Sequence, residues 1–364
     1  MRLYYGDYLQ LEKILGAQTL RSTEAGATAH DEMLFIIVHQ AFELWFKQLL
    51  WELRDVIARL SQPYVPESDV GIALDRIRRM LMIMNVFDGH FDVLETMTPQ
   101  QFMEFRDLLY PASGFESVQF RMLEVLVGVD ESRRVQIDAA GYRSRLREED
   151  RRTLEQIERG PTLFRAVEHW LEKMPFMESG SYRFLDAYRQ AVEQIFEHDR
   201  AELASISTLH PSERQRQLEQ ISRLEAHFGA LFDPTAYAQL VERGEKRLSQ
   251  RATLAALFIT VYSHYPLLQQ PFRFLDAILE LDKRLSMFRF RHALMVSRMI
   301  GQRTGTGGSS GFDYLMKTVL EHRVFADLAA LSSYILPSSR VPPLPDDIAQ
   351  RLHFVAEVNH DDLR

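Results

Sequence analysis

His292 stands in FRFRHALMVSRMIG, on a stripe of Leu281, Leu285, Phe288, His292, Met295 and Met299 that recurs at alternating four and three spacing. A single imidazole on an apolar helical face has two readings. As a core residue it is satisfied by a neighbouring hydrogen-bonding group. As a ligand it suits haem iron, because haem needs one neutral imidazole, an apolar slot for its macrocycle and cations for its propionates; Arg289, Arg291 and Arg298 lie nearby. His39, four residues after Phe35 and three before Phe42, poses the same choice. Either its ring bonds a backbone carbonyl or Glu43, or it lines a distal pocket and accepts a hydrogen bond from a ligand N–H.

Arg106 sits in QFMEFRDLLYPASG beside Phe102, Phe105 and Leu109. It either snorkels and pairs with Asp107 or Glu104, or points inward as a bidentate clamp for a carboxylate. The run GQRTGTGGSSG from Gly301 to Gly311 lacks the GK[ST] ending and the GxGxxG spacing of nucleotide loops, and no strand is expected before it. Thr306, between Gly305 and Gly307, belongs either to a plain loop or to one that brings a hydroxyl and a backbone N–H against a small polar ligand. HExxH, HxE followed by cysteines, and GxSxG are all missing, which leaves hydrolytic chemistry unsupported.

Composition narrows the rest. The 364 residues are 46% hydrophobic and 26% charged, as in a folded protein. The net charge of -8 has the wrong sign for nucleic-acid binding. Cysteine is absent, which excludes disulfides, thiolate nucleophiles, iron–sulfur clusters and covalent haem attachment, so a metal must rest on His, carboxylate or Tyr. No unbroken apolar run approaches the roughly 18 residues of a membrane span, and MRLYYGDYL carries an acid where a signal peptide is apolar. These features predict a cytoplasmic protein with no membrane partner and no nucleic-acid partner.

The elements that must position these residues are helices. Seventeen glycines and 14 prolines are few for this length, and apolar spacing is three and four rather than two, so an all-α fold in one elaborated domain spanning 1–364 is expected. Expected helices run His30 to Leu60, Val70 to Glu95, Thr98 to Leu109 behind a capping box with Gln101, and Phe115 to Val127 after a PASG turn. Glu131 to Arg159 is charge-rich and reads as a solvated helical excursion. Thr162 to Lys173, Ser181 to Leu203, Pro211 to Leu231 and Thr235 to Gln250 read as amphipathic scaffold. A long helix from Thr253 to Ile300, interrupted near Pro266 and Pro271, stops at Gly301. Phe312 to Leu331 resumes helix, and LPSSRVPPLPDD leads to a short last one.

Four blocks together resemble one family: LYYGDYLQLEKIL at Leu3 to Leu15, HDEMLFIIVHQAFELWFKQLLWEL at His30 to Leu53, LETMTPQQFMEFRDLLYPASGFESVQFR at Leu94 to Arg121, and FRFRHALMVSRMIGQRTGTGGSSGFDYL at Phe288 to Leu315. They are similar to the haem-dependent tryptophan 2,3-dioxygenases, in the right order and spacing, whereas Gly128 to Pro271 matches more weakly. The resemblance implies an all-helical protein around a non-covalent b-type haem, assembled as a homotetramer, that cleaves the indole 2,3 bond of L-tryptophan with O2 to give N-formyl-L-kynurenine. It implies His292 as the proximal iron ligand and His39 as the distal histidine facing the indole N–H. It implies Arg106 on the substrate carboxylate, Thr306 at the ammonium and carboxylate, Phe35 and Phe102 as pocket walls, and Ser113 as a polar position beside them. Tyr5, Tyr8 and Leu9 match a segment that reaches a neighbouring subunit's pocket. Phe42 and Phe102 stand where tyrosine occurs in other members, which removes a hydroxyl at each. Two other activities fit the same residues: monooxygenation of tryptophan or a related aromatic amino acid, and binding of haem or such an amino acid without turnover.

Overall fold

Local punctuation decides where the helices begin and end. Thr98 and Gln101 form the expected capping box, with the Gln101 N–H on Thr98 Oγ1 at 3.3 Å and the Thr98 N–H on Gln101 Oε1 at 2.7 Å. Gly301 adopts φ +58° and ends the helix that carries His292, its N–H donating to the Ser297 carbonyl at 2.9 Å. The computed structural model describes residues 2–129, 146–301, 303 and 311–354.

In chain order the helices are α1 (Tyr5–Leu9), α2 (Leu11–Leu15), α3 (Arg21–Glu24), α4 (Glu32–Leu60), α5 (Glu67–Leu94), α6 (Pro99–Arg106), α7 (Val118–Val127), α8 (Glu148–Glu158) and α9 (Leu163–Glu172). After a short antiparallel hairpin of β1 (Glu178–Ser179) and β2 (Tyr182–Arg183) come α10 (Phe184–Ser205), α11 (Pro211–Phe232), α12 (Pro234–Glu242), α13 (Gln250–Val261), α14 (Pro266–Ile300), α15 (Gly311–Glu321), α16 (Ala326–Ala329) and α17 (Asp346–Leu352). The fold is all-α, as the spacing predicts.

Several boundaries differ from expectation. The break before α14 falls at residues 262–265, so Pro266 opens the helix. Pro271 is accommodated inside it, because one lost hydrogen bond near the end of a 35-residue helix is outweighed by the rest. The expected helix from Phe312 to Leu331 is α15, α16 and a 3-10 turn, and the one from Thr235 to Gln250 stops at Glu242. Residues 131–145 of the charged excursion lie outside the described residues. Its later part, α8, is not wholly solvated, since Leu154 packs with Val125 and Leu146. A further correction concerns α4, which is long and apolar enough to cross a membrane by length and composition. His39, Gln40, Glu43 and Lys47 break its apolar run without making it polar on average. Val38, Phe42, Phe46, Leu49, Leu50 and Leu53 are buried and give α4 a core-facing side, while Met33, Ile37, Leu44 and Trp51 are exposed on it.

The chain divides into two compact units. The first comprises Met1–Val56, Arg76–Leu163 and Glu280–Val324 and contains every site residue considered below. Its core includes Leu49, Leu53, Val56, Ile77, Met80, Phe87 and Phe91. The second comprises Ile57–Asp75, Phe164–Leu279 and Phe325–Arg364. There α13 is buried continuously from Ala252 to Ile259, the pattern of a helix enclosed on all sides.

Candidate active site

The site grows from α4, α6, α7 and α14. On α4, the 3.6-residue period places Phe35, His39, Phe42 and Phe46 along adjoining faces, with Phe42 and Phe46 buried. Phe42 meets Phe46, Phe87, Phe91 and Phe288 at ring-centroid distances of 5.2 to 6.2 Å. His292 lies at the edge of this aromatic wall, 6.4 Å from Phe288 and 6.5 Å from Phe91. The capping box starts α6 so that Phe102 stacks on Phe35 at 5.7 Å, while Phe105 meets the edge of the same ring at 5.6 Å. Phe35 in turn covers His39 at 4.1 Å.

The two histidines have contrasting hydrogen bonding. His39 Nδ1 lies 2.7 Å from the Phe35 carbonyl, the backbone partner that sequence reading offered as one alternative. A carbonyl accepts only, so Nδ1 carries the proton and Nε2 is left with its lone pair. His39 is solvent-accessible, yet the protein around it desolvates the ring and lowers its pKa, against smaller opposing effects of the Phe35 carbonyl and Glu43. Neither ring nitrogen of His292 is hydrogen-bonded to a described residue, and burial, then His39, then Arg121 pull its pKa down to about 4. The core-histidine alternative requires a partner that His292 does not have among the described residues. His39 thus disfavours a charge on His292, and the lowered pKa of each ring keeps it neutral with a lone pair available.

Arg106 ends α6 with its side chain 16% exposed, and its Nη1 is 3.6 Å from the carboxylate of Asp107, which is itself almost fully in solvent. The ion pair that sequence reading allowed is therefore present but long. Arg303 Nη1 donates to Met103 Sδ at 2.9 Å, which brings the start of the glycine-rich segment to α6 one turn before Arg106. Thr306 lies outside the described residues. Ser113 caps a 3-10 turn, its Oγ accepting the Phe115 N–H at 3.4 Å. Tyr5 and Tyr8 are 71% and 70% exposed, and α1, which also carries Leu9, has no buried residue.

A family profile described as Tryptophan 2,3-dioxygenase matches residues 1–335. The chain is 42% identical over 351 residues to the tryptophan 2,3-dioxygenase of Alteromonas mediterranea, covering 96% of this chain and 97% of that one. It is 42% identical over 352 residues to the enzyme of that name from Bdellovibrio bacteriovorus, covering 97% and 98% of the two chains. The corresponding figures for Dictyostelium discoideum are 40% over 353 residues, 97% and 88%. The chain belongs to the tryptophan 2,3-dioxygenase family.

The residues present fit the haem that this family implies. A lone imidazole supplies one ligand, so an iron held by His292 needs its remaining donors from a macrocycle, and the Phe42, Phe91 and Phe288 rings provide the apolar surface such a group requires. The cations are only partly those expected. Arg291 pairs with Asp92 at 2.8 Å and Glu95 at 3.6 Å, and Arg298 with Glu95 at 3.8 Å, all towards α5. Arg289 is buried on Glu124 at 3.0 Å. Sequence reading missed the group around Glu124, where Arg121 Nη1 at 2.7 Å and His322 Nδ1 at 3.1 Å also converge. A carboxylate inside the apolar run LEVLV of α7 was the available signal. Burial alone would push the Glu124 pKa up, but Arg121, His322 and Arg289 hold it well below the usual carboxylate range.

Proposed function

We propose that this protein binds a non-covalent haem b through His292 and cleaves the indole 2,3 bond of L-tryptophan with O2, forming N-formyl-L-kynurenine. The observation that carries this reading is the geometry of the two imidazoles: His292 stands at the edge of the Phe91 and Phe288 rings without a hydrogen-bonding partner among the described residues, and His39, under Phe35, has Nδ1 committed to the Phe35 carbonyl. Haem, when bound, supplies the activation of O2. The chain's own residues bind and orient the substrate. Phe35 and Phe102 offer a stacked aromatic surface to the flat indole. His39 Nε2, freed by the commitment of Nδ1 to the Phe35 carbonyl, accepts the indole N–H. The indole N–H is too weak an acid for a neutral imidazole to deprotonate, so His39 orients the substrate rather than obligatorily taking its proton.

Arg106 binds the substrate carboxylate by charge-assisted hydrogen bonds, and Thr306 meets the ammonium and carboxylate; Ser113 provides a further polar edge. Family membership supports the substrate class, and the residue roles rest on the motif blocks in which these residues stand. The protein acts as a cytoplasmic homotetramer in which Tyr5, Tyr8 and Leu9 reach a neighbouring subunit's pocket. The exposure of Leu3, Tyr4, Tyr5 and Tyr8, together with Ile37, Leu44 and Trp51 along α4, supports a subunit contact. Reduced, haem-loaded protein mixed with L-tryptophan and then O2 is expected to yield the absorbance of N-formylkynurenine. No product would end the reading, and a product carrying one added oxygen by mass spectrometry would replace it with monooxygenation.

A further inference from the structure

Glu43 lies one turn after His39 on α4, half-buried and held by partners on the N-terminal side of α7. Ser117 Oγ donates to Glu43 Oε1 at 2.5 Å, and Gln119 Nε2 donates to both Glu43 Oε2 and the Glu43 carbonyl at 2.8 Å. Ser117 is itself the N-cap of α7, accepting the Phe120 N–H at 3.4 Å, so the groups that hold the carboxylate are fixed by the start of that helix. Spacing of i and i+4 puts Glu43 on the same face as His39. Its carboxylate does not bond the ring, whose Nδ1 is taken by the Phe35 carbonyl.

We infer that Glu43 is a positioning residue for substrate recognition: the Ser117–Gln119 clamp keeps a negative charge beneath His39 and thereby sharpens Nε2 as an acceptor for an N–H donor. This rests on the proposed role of His39. An anion one turn away makes the imidazole more basic, which strengthens the hydrogen bond it accepts and raises the pH at which it becomes protonated and ceases to accept. Other charged or titratable groups on the neighbouring elements include His292 on α14, Arg121 on α7, Arg106 on α6 and, on α5, His90, whose ring meets Phe42 at 5.3 Å. Glu43 is the anion that acts on His39, offsetting part of the desolvation.

The test is the dissociation constant of the haem-loaded protein for L-tryptophan, followed by the haem absorption change as pH is lowered from neutrality. Affinity falls as His39 protonates. Glu43→Gln keeps the shape and one acceptor oxygen for Gln119, presents its amide N–H to the Ser117 hydroxyl, which can turn to accept it, and removes the charge. It should move the midpoint of that fall down by about half a pH unit, the effect of a charge screened by partial solvation, and weaken binding about two-fold at neutral pH. His39→Ala should abolish the midpoint. A Glu43 that only ties α4 to α7 would lower the melting temperature of Glu43→Gln and leave the midpoint in place, which would overturn the inference. A midpoint that survives in His39→Ala would overturn the reading of His39 itself. Should Glu43→Gln fail to fold, Glu43→Ala removes the same charge, and an unmoved midpoint there is equally refuting.

Discussion

Replacing Glu124 by Gln tests whether one buried carboxylate holds the α14 face that carries His292. Glu124 is 4% exposed and faces Arg121, Arg289 and His322 at 2.7, 3.0 and 3.1 Å. Gln preserves the volume but leaves two buried guanidiniums facing each other without an anion. Breaking a buried pair in this way costs about 3–5 kcal/mol. With an unfolding entropy of about 2.1 cal/mol/K per residue, a chain of this length should melt about 4 to 7 °C lower, as measured by calorimetry. The pH dependence fixes the sign. A carboxyl held below its unfolded value contributes stability above about pH 4.3, and that contribution is lost as pH falls through the folded value. The gap between the two proteins should therefore be full at neutral pH and close on acidification. Arg289 precedes His292 by three residues on α14, so haem affinity should also fall in the variant. Equal melting at neutral pH, or a gap that widens in acid, would refute the account.

Arg106→Leu should raise KM for tryptophan roughly 10- to 100-fold, the loss of one or two charge-assisted hydrogen bonds, with the haem spectrum intact; an unchanged KM removes the carboxylate role. His292→Ala should lose haem when passed over a desalting column, whereas His39→Ala should retain haem and lose turnover roughly 10- to 100-fold; retained haem in the first variant overturns the ligand assignment. Glu32, fully buried at the start of α4, accepts the Arg21 and Ser22 N–H groups at 2.8 and 2.9 Å and the Ser22 hydroxyl at 2.5 Å. Burial raises its pKa, yet the Ser22 and Arg21 hydrogen bonds lower it overall. Glu32→Gln should release α3 at a cost of about 1–3 kcal/mol, seen as faster hydrogen exchange at Arg21 and Ser22 above the carboxylate range; unchanged exchange there would count against it.

Local signals in the chain were specific enough to locate the helices and the residues that touch one another along them. Spacing of three and four fixed the faces that carry Phe35, His39 and Phe42, and the Thr98 box and Gly301 stop act through neighbours a few residues away. Contacts at long sequence separation left no comparable trace. Nothing local to Glu43 distinguishes an acid bonded to Ser117 and Gln119, more than seventy residues away, from one that pairs with His39. Arg289, Arg291 and Arg298 read alike along the chain, yet Arg289 is buried on Glu124 while the other two reach α5.

Composition, helical period and the matching blocks by themselves determined an all-α member of the tryptophan 2,3-dioxygenase family and named both histidines, because helix faces and family motifs are written within short stretches. Only the tertiary structure decided which nitrogen of His39 is free, that His292 has no hydrogen-bonding partner among the described residues, and that Glu124 rather than solvent compensates Arg121 and Arg289. Protonation, tautomer and the worth of a charge depend on what surrounds a side chain in space, and packing brings together groups that the chain keeps far apart.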